Sequence, residues 1–201
     1  MGCDQAGASA AASPARRREV VVSGRRVKTV DVHAHCAVPE AMALVGRQLD
    51  TPALLMSDTA ERIRAMDEQG IDVEALSINP YWYGADRDVA RELIRMQNEA
   101  LAEICAAQPD RFVAFASVAL QHPDLAVEQL ETGVKRYGLR GAGLGGSING
   151  EELSNPRFHA FWAKAEELGV LLFMHPQQAS GTTQNPRLQG RGALEIGRAH
   201  V

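Results

Sequence analysis

The sequence lacks the features of a membrane-spanning, disulfide-stabilised or nucleic-acid-binding protein. No run in its 201 residues approaches the roughly 18 consecutive apolar residues that a membrane-spanning helix needs. The cysteines, Cys3, Cys36 and Cys105, form no Cys-x-x-Cys pair, so neither a disulfide framework nor a thiolate zinc site is indicated. The net charge of −4 gives no support to nucleic-acid binding. We therefore expect a cytoplasmic protein with reduced thiols, without nucleic-acid or membrane partners.

The composition is that of a globular protein, but the charge is unevenly distributed. Hydrophobic residues make up 45% of the chain and charged residues 23%. Residues 1–30 hold six basic and two acidic side chains, and residues 2–15 are mostly Gly, Ala and Ser. Such a segment cannot bury enough apolar surface to offset the entropy of ordering. The sequence predicts a disordered basic arm over residues 1–25 and a folded domain over 26–194.

Strand and helix patterns alternate along the predicted domain. The predicted strands cover residues 26–33, 71–78, 112–120, 139–144 and 170–174. The predicted helices cover residues 60–69, 86–107, 122–138 and 155–168. Five strands joined by four helical crossovers indicate an α/β fold with a parallel sheet and outer helices. Two architectures fit this pattern: an open doubly wound sheet, or part of an eight-stranded (β/α)8 TIM barrel.

Histidines stand at the ends of the first and last predicted strands. His33 and His35, in the run DVHAH, project from one face because strand side chains alternate. His175 directly follows the apolar run VLLFM. In a β/α barrel, functional residues gather at the carboxyl ends of the strands. Each histidine alone has a structural interpretation, but together the three form a credible set of nitrogen ligands for zinc or a similar metal.

Three further features have both a functional and a structural interpretation. Tyr81, Trp82 and Tyr83 follow the second strand, where their rings could hold a planar, conjugated acid or could simply pack the loop. Arg47 could bind a substrate carboxylate or lie in solvent. The run over residues 141–146 fits Gly-x-Gly-x-x-Gly, but it follows the fourth strand and opens no helix at once. We interpret it as backbone that approaches the site closely.

Several stretches resemble the amidohydrolase superfamily, in particular its amidohydrolase-related branch, which includes aminocarboxymuconate-semialdehyde decarboxylase. The matching stretches are VDVHAHCAVPE, INPYWYGADRD, QNEALAEICAAQPDRFVAFASVALQHPDLA, LRGAGLGG and FWAKAEELGVLLFMHPQ. The resemblance implies a metal-bearing β/α barrel that performs non-oxidative decarboxylation or hydrolysis. It also implies that His33 and His35 are ligands from the first strand and that His175 is the ligand from the fifth.

The sequence departs from the family pattern in ways that bear on the site. Binuclear members use a carboxylated lysine on the fourth strand, and none of the three lysines here stands at the carboxyl end of a strand. A single divalent metal, zinc, is therefore expected. The family also places a histidine on strand 6 and a proton-handling aspartate on strand 8. Neither is found in this sequence, so the catalytic residues stay unassigned.

The final residues do not continue the family pattern. The heptapeptide EIGRAHV over residues 195–201 matches the translation of a common sequencing-library adapter. We therefore expect a non-native tail over 195–201, and a chain that carries the first five β/α units of an incomplete barrel. Unpaired edges on strands 1 and 5 predict poor folding or self-association.

The resemblance predicts a metal-dependent decarboxylase that acts on an unsaturated or aromatic carboxylic acid. The expected partner is thus a small-molecule acid, and the complete protein is expected to form a homodimer. One alternative is a metal-dependent hydrolase of a lactone or amide at the same site. The other is an inactive barrel fragment that binds metal weakly or not at all.

Overall fold

The structure, a computed structural model, describes residues 17–49, 51, 54–56 and 59–175. The elements in chain order are β1 (Val21–Val22), β2 (Arg25–Arg26), β3 (Val30–His35), α1 (Pro39–Ala43), α2 (Thr59–Gln69), β4 (Val73–Ser77), α3 (Arg87–Ala107), β5 (Phe112–Ala114), α4 (Pro123–Lys135), β6 (Gly141–Gly145), β7 (Ser147–Ile148), β8 (Glu151–Glu152), α5 (His159–Leu168) and β9 (Leu171–His175). A 3-10 turn over Pro156–Phe158 leads into α5. The alternation of strands and helices confirms the predicted α/β class.

Helices α2 to α5 lie where the sequence pattern predicts helices, whereas α1 lies in the connector after the first strand and was not predicted. Helix α3 is the longest, and its buried side chains recur at steps of three and four residues, as an amphipathic helix requires. Those side chains are Ala90, Leu93, Ile94, Gln97, Asn98 and Leu101. Helix α5 ends at Gly169, which adopts the left-handed conformation at φ 62° that favours glycine. In the described part of the chain, no helix combines the length and apolar character needed to cross a membrane.

The strands that carry the candidate ligands belong to a parallel arrangement. Strands β3, β4 and β5 pair in that order, and β6 pairs with β9. An isolated parallel bridge between Ala116 and Ala142 connects the two groups. The predicted third strand over 112–120 is too long, because the chain changes partners after β5. The N–H of Phe115 donates to Leu76 at 2.9 Å, whereas that of Ala116 donates to Gly141 at 2.8 Å.

The predicted disordered arm over 1–25 differs from the structure in its last part. Residues 1–16 lie outside the described residues, as does the predicted tail over 195–201. Residues 17–25 are ordered: β1 and β2 form an antiparallel hairpin, and Arg17 and Arg26 form ion pairs with Asp72. The composition suggested a solvated basic segment, but these arginines have a buried carboxylate to bind.

Asp72 connects this hairpin to the amino end of β4. Its carboxylate accepts the backbone N–H of Thr29 at 2.8 Å and lies 2.6 Å from Arg26 Nη2. The hydrogen bond from Thr29 lowers the pKa of Asp72 most; burial opposes it, and Arg26 and Arg17 lower it further, so that it falls to about 2. Asp72 is therefore ionised and fully paired near neutral pH.

Acidification is expected to remove the contribution of Asp72 to stability. The pKa of Asp72 falls from an ordinary 3.8 to about 2 on folding, so its stabilisation is complete above the ordinary value and is lost as the pH falls through the folded one. At neutral pH, D72N should lower the free energy of unfolding by about 1–3 kcal/mol, because it breaks a buried charge-assisted network. Urea unfolding should show this deficit shrinking as the pH is lowered toward about 2. A deficit independent of pH would contradict this assignment.

The two strands at the ends of the parallel arrangement expose apolar side chains. On β3, Val30 and Val32 are 51% and 52% exposed, and on β9, Leu171 and Met174 are 56% and 61% exposed. Among the described residues, β3 pairs with β4 and β9 pairs with β6. These are the strands for which free edges are predicted. Self-association through them stays a prediction.

Candidate metal centre

Three imidazoles from two strands meet in the structure. His33 and His35 belong to β3, and His175 is the last residue of β9. One ring nitrogen from each lies within 4.8 Å of the others. The ring centroids are 4.7 Å apart for His33 and His35, 4.9 Å for His33 and His175, and 4.7 Å for His35 and His175. The arrangement brings together the three histidines that the sequence singles out.

A bulge in β3 shapes this cluster. Between the paired positions Asp31 and Ala34, two residues of β3 stand opposite a single residue of β4. The backbone N–H of His33, within the bulge, donates to the carboxylate of Asp31 at 2.9 Å. Bulges re-aim side chains and are frequent beside active sites. Regular alternation along the strand does not predict this bulge; the sequence signal for it is an aspartate two residues before a histidine.

His35 is held in a neutral, partly buried setting. Its Nε2 lies 3.1 Å from Nε2 of His175, and its Nδ1 lies 3.4 Å from the hydroxyl of Ser77. Burial first, and then the neighbouring His175 and His33, lower the pKa of His35 to about 4. Neutral imidazole is the form that ligates metals, so His35 needs to lose no proton at neutral pH. Ser77 was not predicted, although a polar residue at the carboxyl end of a strand was its signal.

The chain matches a known family over most of its length. Residues 30–191 match the model of the amidohydrolase family. The chain belongs to the amidohydrolase family. This confirms the resemblance on which the functional expectations rest, and the family match includes all three clustered histidines.

Relatives of this chain include decarboxylases. The chain is 36% identical over 164 residues to the γ-resorcylate decarboxylase of Rhizobium sp. strain MTP-10005, which covers 74% of the chain and 50% of that protein. It is 26% identical to the 2-amino-3-carboxymuconate-6-semialdehyde decarboxylase of Dictyostelium discoideum, covering 79% of the chain and 45% of that protein. The chain thus spans about half the length of the curated relatives it matches.

A solved structure supports the same kinship. The dihydroxybenzoic acid decarboxylase of Polaromonas sp. JS666 superposes with a TM-score of 0.63 at 31% identity, covering 86% of this chain and 54% of that one. That enzyme was crystallised with manganese and an inhibitor, 2-nitroresorcinol. The amidohydrolase fold inferred from the sequence therefore agrees with a homologous structure.

Trp82 and Tyr83 lie in the core of the chain. Trp82 is 1% exposed, and its indole N–H donates to the carbonyl of Val118 at 3.0 Å. The hydroxyl of Tyr83 accepts the backbone N–H of Gly145 at 3.0 Å. Loop packing, the structural alternative for these two residues, accounts for these contacts, because the segment after β4 folds back against neighbouring elements. Their predicted role in substrate binding gains nothing from this placement.

Tyr81 and Arg47 contact each other outside the core. The guanidinium of Arg47, which is exposed, lies 5.7 Å from the centre of the Tyr81 ring. The Tyr81 hydroxyl accepts a hydrogen bond from Gln97 Nε2 at 2.8 Å, and burial raises its pKa to about 12, which leaves it protonated. A cavity of about 330 Å³ beside Arg47 is lined by Met42, Arg47, Gln48, Leu49, Thr51 and Leu54. Among the described residues, its lining includes Arg47 but none of the clustered histidines.

Proposed function

We propose that this chain carries the metal-binding half of a metal-dependent, non-oxidative decarboxylase that acts on a hydroxylated aromatic acid. The observation that carries the proposal is the cluster of His33, His35 and His175 in a chain related to such decarboxylases. The parallel order of the strands and the match to about half of each relative support an origin from the first five β/α units of a barrel. The complete protein would then supply the remaining catalytic groups.

The donor set fits one divalent cation. Three nitrogens within 4.8 Å of one another could share a single ion, and imidazole ligands suit zinc. The Polaromonas enzyme holds manganese, which supports a divalent metal in this family without selecting zinc. We therefore propose one divalent metal, with zinc as the expected ion, held by His33, His35 and His175. Such an ion, when bound, supplies a Lewis acid that polarises a carboxylate oxygen.

Aromatic side chains beside the histidines suit a flat substrate. Phe173 stacks on Phe115 with ring centres 5.6 Å apart, and its ring centre lies 5.7 Å from that of His33. The Phe173 ring offers an apolar face on which an aromatic ring could stack. Arg47 and Tyr81 form a second, polar group of candidates, since a guanidinium can bind a carboxylate through two hydrogen bonds. We propose that Phe173, Arg47 and Tyr81 contact the acid, whereas Trp82 is buried in the core.

A chimera provides the test of activity. Residues 30–191 would replace the matching segment of the Rhizobium γ-resorcylate decarboxylase, and release of carbon dioxide from γ-resorcylate would be measured with and without added Zn²⁺ or Mn²⁺. We expect metal-dependent release, reduced at least about 100-fold by H33A because a ligand is lost. H159A, which changes an exposed histidine on α5, is the matched control and should leave the rate unchanged.

Two outcomes of this assay would contradict the proposal. A folded, metal-loaded chimera that hydrolyses a lactone or amide and releases no carbon dioxide would favour the hydrolase alternative. A folded chimera that binds no metal would favour the inactive fragment.

A further inference from the structure

Arg62 connects helix α2 to the backbone of one of the clustered histidines. Its Nη1 donates to the carbonyl oxygen of His35 at 3.0 Å, and its Nε donates to Glu74 Oε2 at 2.5 Å. The Arg62 side chain is 16% exposed and that of Glu74 is 10% exposed. A buried guanidinium that is paired and hydrogen-bonded in two directions is held in one orientation.

We propose that Arg62 is a positioning residue for the metal centre, fixing the His35 carbonyl and through it the direction of the His35 imidazole. The inference rests on the proposed function, because it assigns Arg62 to the same site. It requires no contact between Arg62 and the metal or the substrate. Arg62 acts through the main chain of His35.

The peptide unit after His35 is held at both of its polar groups. Arg62 binds the carbonyl of His35, and the N–H of Cys36 in the same peptide plane donates to the carbonyl of Ser77 at 3.0 Å. With the plane fixed from both sides, ψ of His35 has little freedom, and its Cα–Cβ bond points in one direction. The Ser77 hydroxyl, 3.4 Å from Nδ1, then restricts rotation of the ring itself.

Glu74 determines where the guanidinium lies. It belongs to β4, opposite Asp31 of β3, next to the bulge that carries His33. Its carboxylate compensates the charge of Arg62, so the positioning contact adds no net positive charge beside a site that would hold a cation. The ion pair thereby links α2, β4 and the end of β3 close to the histidine cluster.

The geometry uses properties of arginine that lysine does not share. Arg62 directs Nε toward a carboxylate and Nη1 toward a carbonyl from one rigid plane, whereas an ammonium group at the end of a flexible chain has no such fixed fork. R62K should keep the positive charge and lose part of this arrangement. It is therefore the informative substitution.

Arg111 offers a matched control at the opposite end of the strands. Its side chain is 14% exposed, its Nη2 lies 2.8 Å from Asp67 Oδ1, and its Nε donates to the carbonyl of Asp72 at 3.0 Å. It thus has the same burial and the same two kinds of partner as Arg62. Its partners, however, precede β4, whereas the histidines stand at carboxyl ends. R111K should cost stability without disturbing the cluster.

The experiment compares wild type, R62K and R111K of the full chain. Dissociation constants for Zn²⁺ and Mn²⁺ would be measured by calorimetry, and thermal unfolding would be followed in metal-free protein. We expect R62K to weaken metal binding about 10- to 100-fold, the usual loss when a group that orients a ligand is removed. R111K should shift the unfolding temperature about as much while leaving the dissociation constants within about threefold. R62Q, which keeps an amide NH2 group but loses the charge, is the second variant should R62K fail to fold.

A spectroscopic measurement separates this inference from the proposed function. In metal-free protein, the ring signals of His35 in heteronuclear NMR should move in R62K and stay in place in R111K. Equal metal binding by R62K and R111K, or unmoved His35 signals in R62K, would overturn the role of Arg62 and leave the metal centre intact. A wild-type chain that binds neither ion would overturn the metal centre, while the NMR comparison would still decide the role of Arg62.

Discussion

The H35A variant is expected to lose tight binding of divalent metal. Its ring centre lies 4.7 Å from those of both His33 and His175, and burial and these two neighbours lower its pKa to about 4, so it is neutral at neutral pH. Removing a group that only orients a ligand costs about 10- to 100-fold in affinity, and removing a ligand should cost more than about 100-fold. H33A and H175A should lose affinity to a similar extent, because each leaves only two of the three imidazole ligands. Calorimetric titration with Zn²⁺ checks all three.

Metal binding should also appear as added stability of the wild-type protein. Metal at about 100 times its dissociation constant adds about 2.7 kcal/mol to the free energy of unfolding, provided that the unfolded chain does not bind it. The three variants should show little of this gain, whereas H159A, which changes an exposed histidine at the start of α5, should show all of it. Equal stabilisation of H35A and H159A would show that the metal binds elsewhere.

The site could be foreseen because it depends on two simple regularities. Apolar runs such as that before His175 predict buried strands, and in β/α proteins the carboxyl ends of strands collect functional residues. His33 and His35 likewise lie at the carboxyl end of a strand, β3, in the other group of paired strands. Neither regularity requires knowledge of long-range packing, so the cluster could be inferred from the sequence.

Other features depend on tertiary contacts that no local pattern specifies. The ion pair of Arg17 with Asp72 joins partners that are distant in sequence. Trp82 looked available for ligand binding because aromatic residues in a loop after a strand often are, yet its indole N–H has a partner in the core. Arg62 went unnoticed for the same reason, since a charged residue on a helix normally faces solvent.

Substitution of Gly141, in the glycine run of the fourth predicted strand, is expected to cause a large loss of stability. G141A should lower the free energy of unfolding by about 3 kcal/mol, because the added methyl group would clash with backbone that cannot move aside without disrupting the sheet. Gly141 has φ 143°, and a Cβ placed there would lie 1.8 Å from the carbonyl oxygen of Leu171, its partner on β9. The two strands would have to separate. Strand β9 carries His175, so metal affinity should fall together with stability.

Gly143, two residues along the same strand, is the control for this effect. A Cβ there would meet the Cβ of Ser77 at 3.8 Å, an ordinary contact, and no positive φ is needed. G143A should therefore stay within about 1 kcal/mol of wild type and bind Zn²⁺ normally. Urea unfolding and metal titration of both variants decide the point. If G141A were as stable as G143A, β6 and β9 would not approach each other as closely as the structure places them.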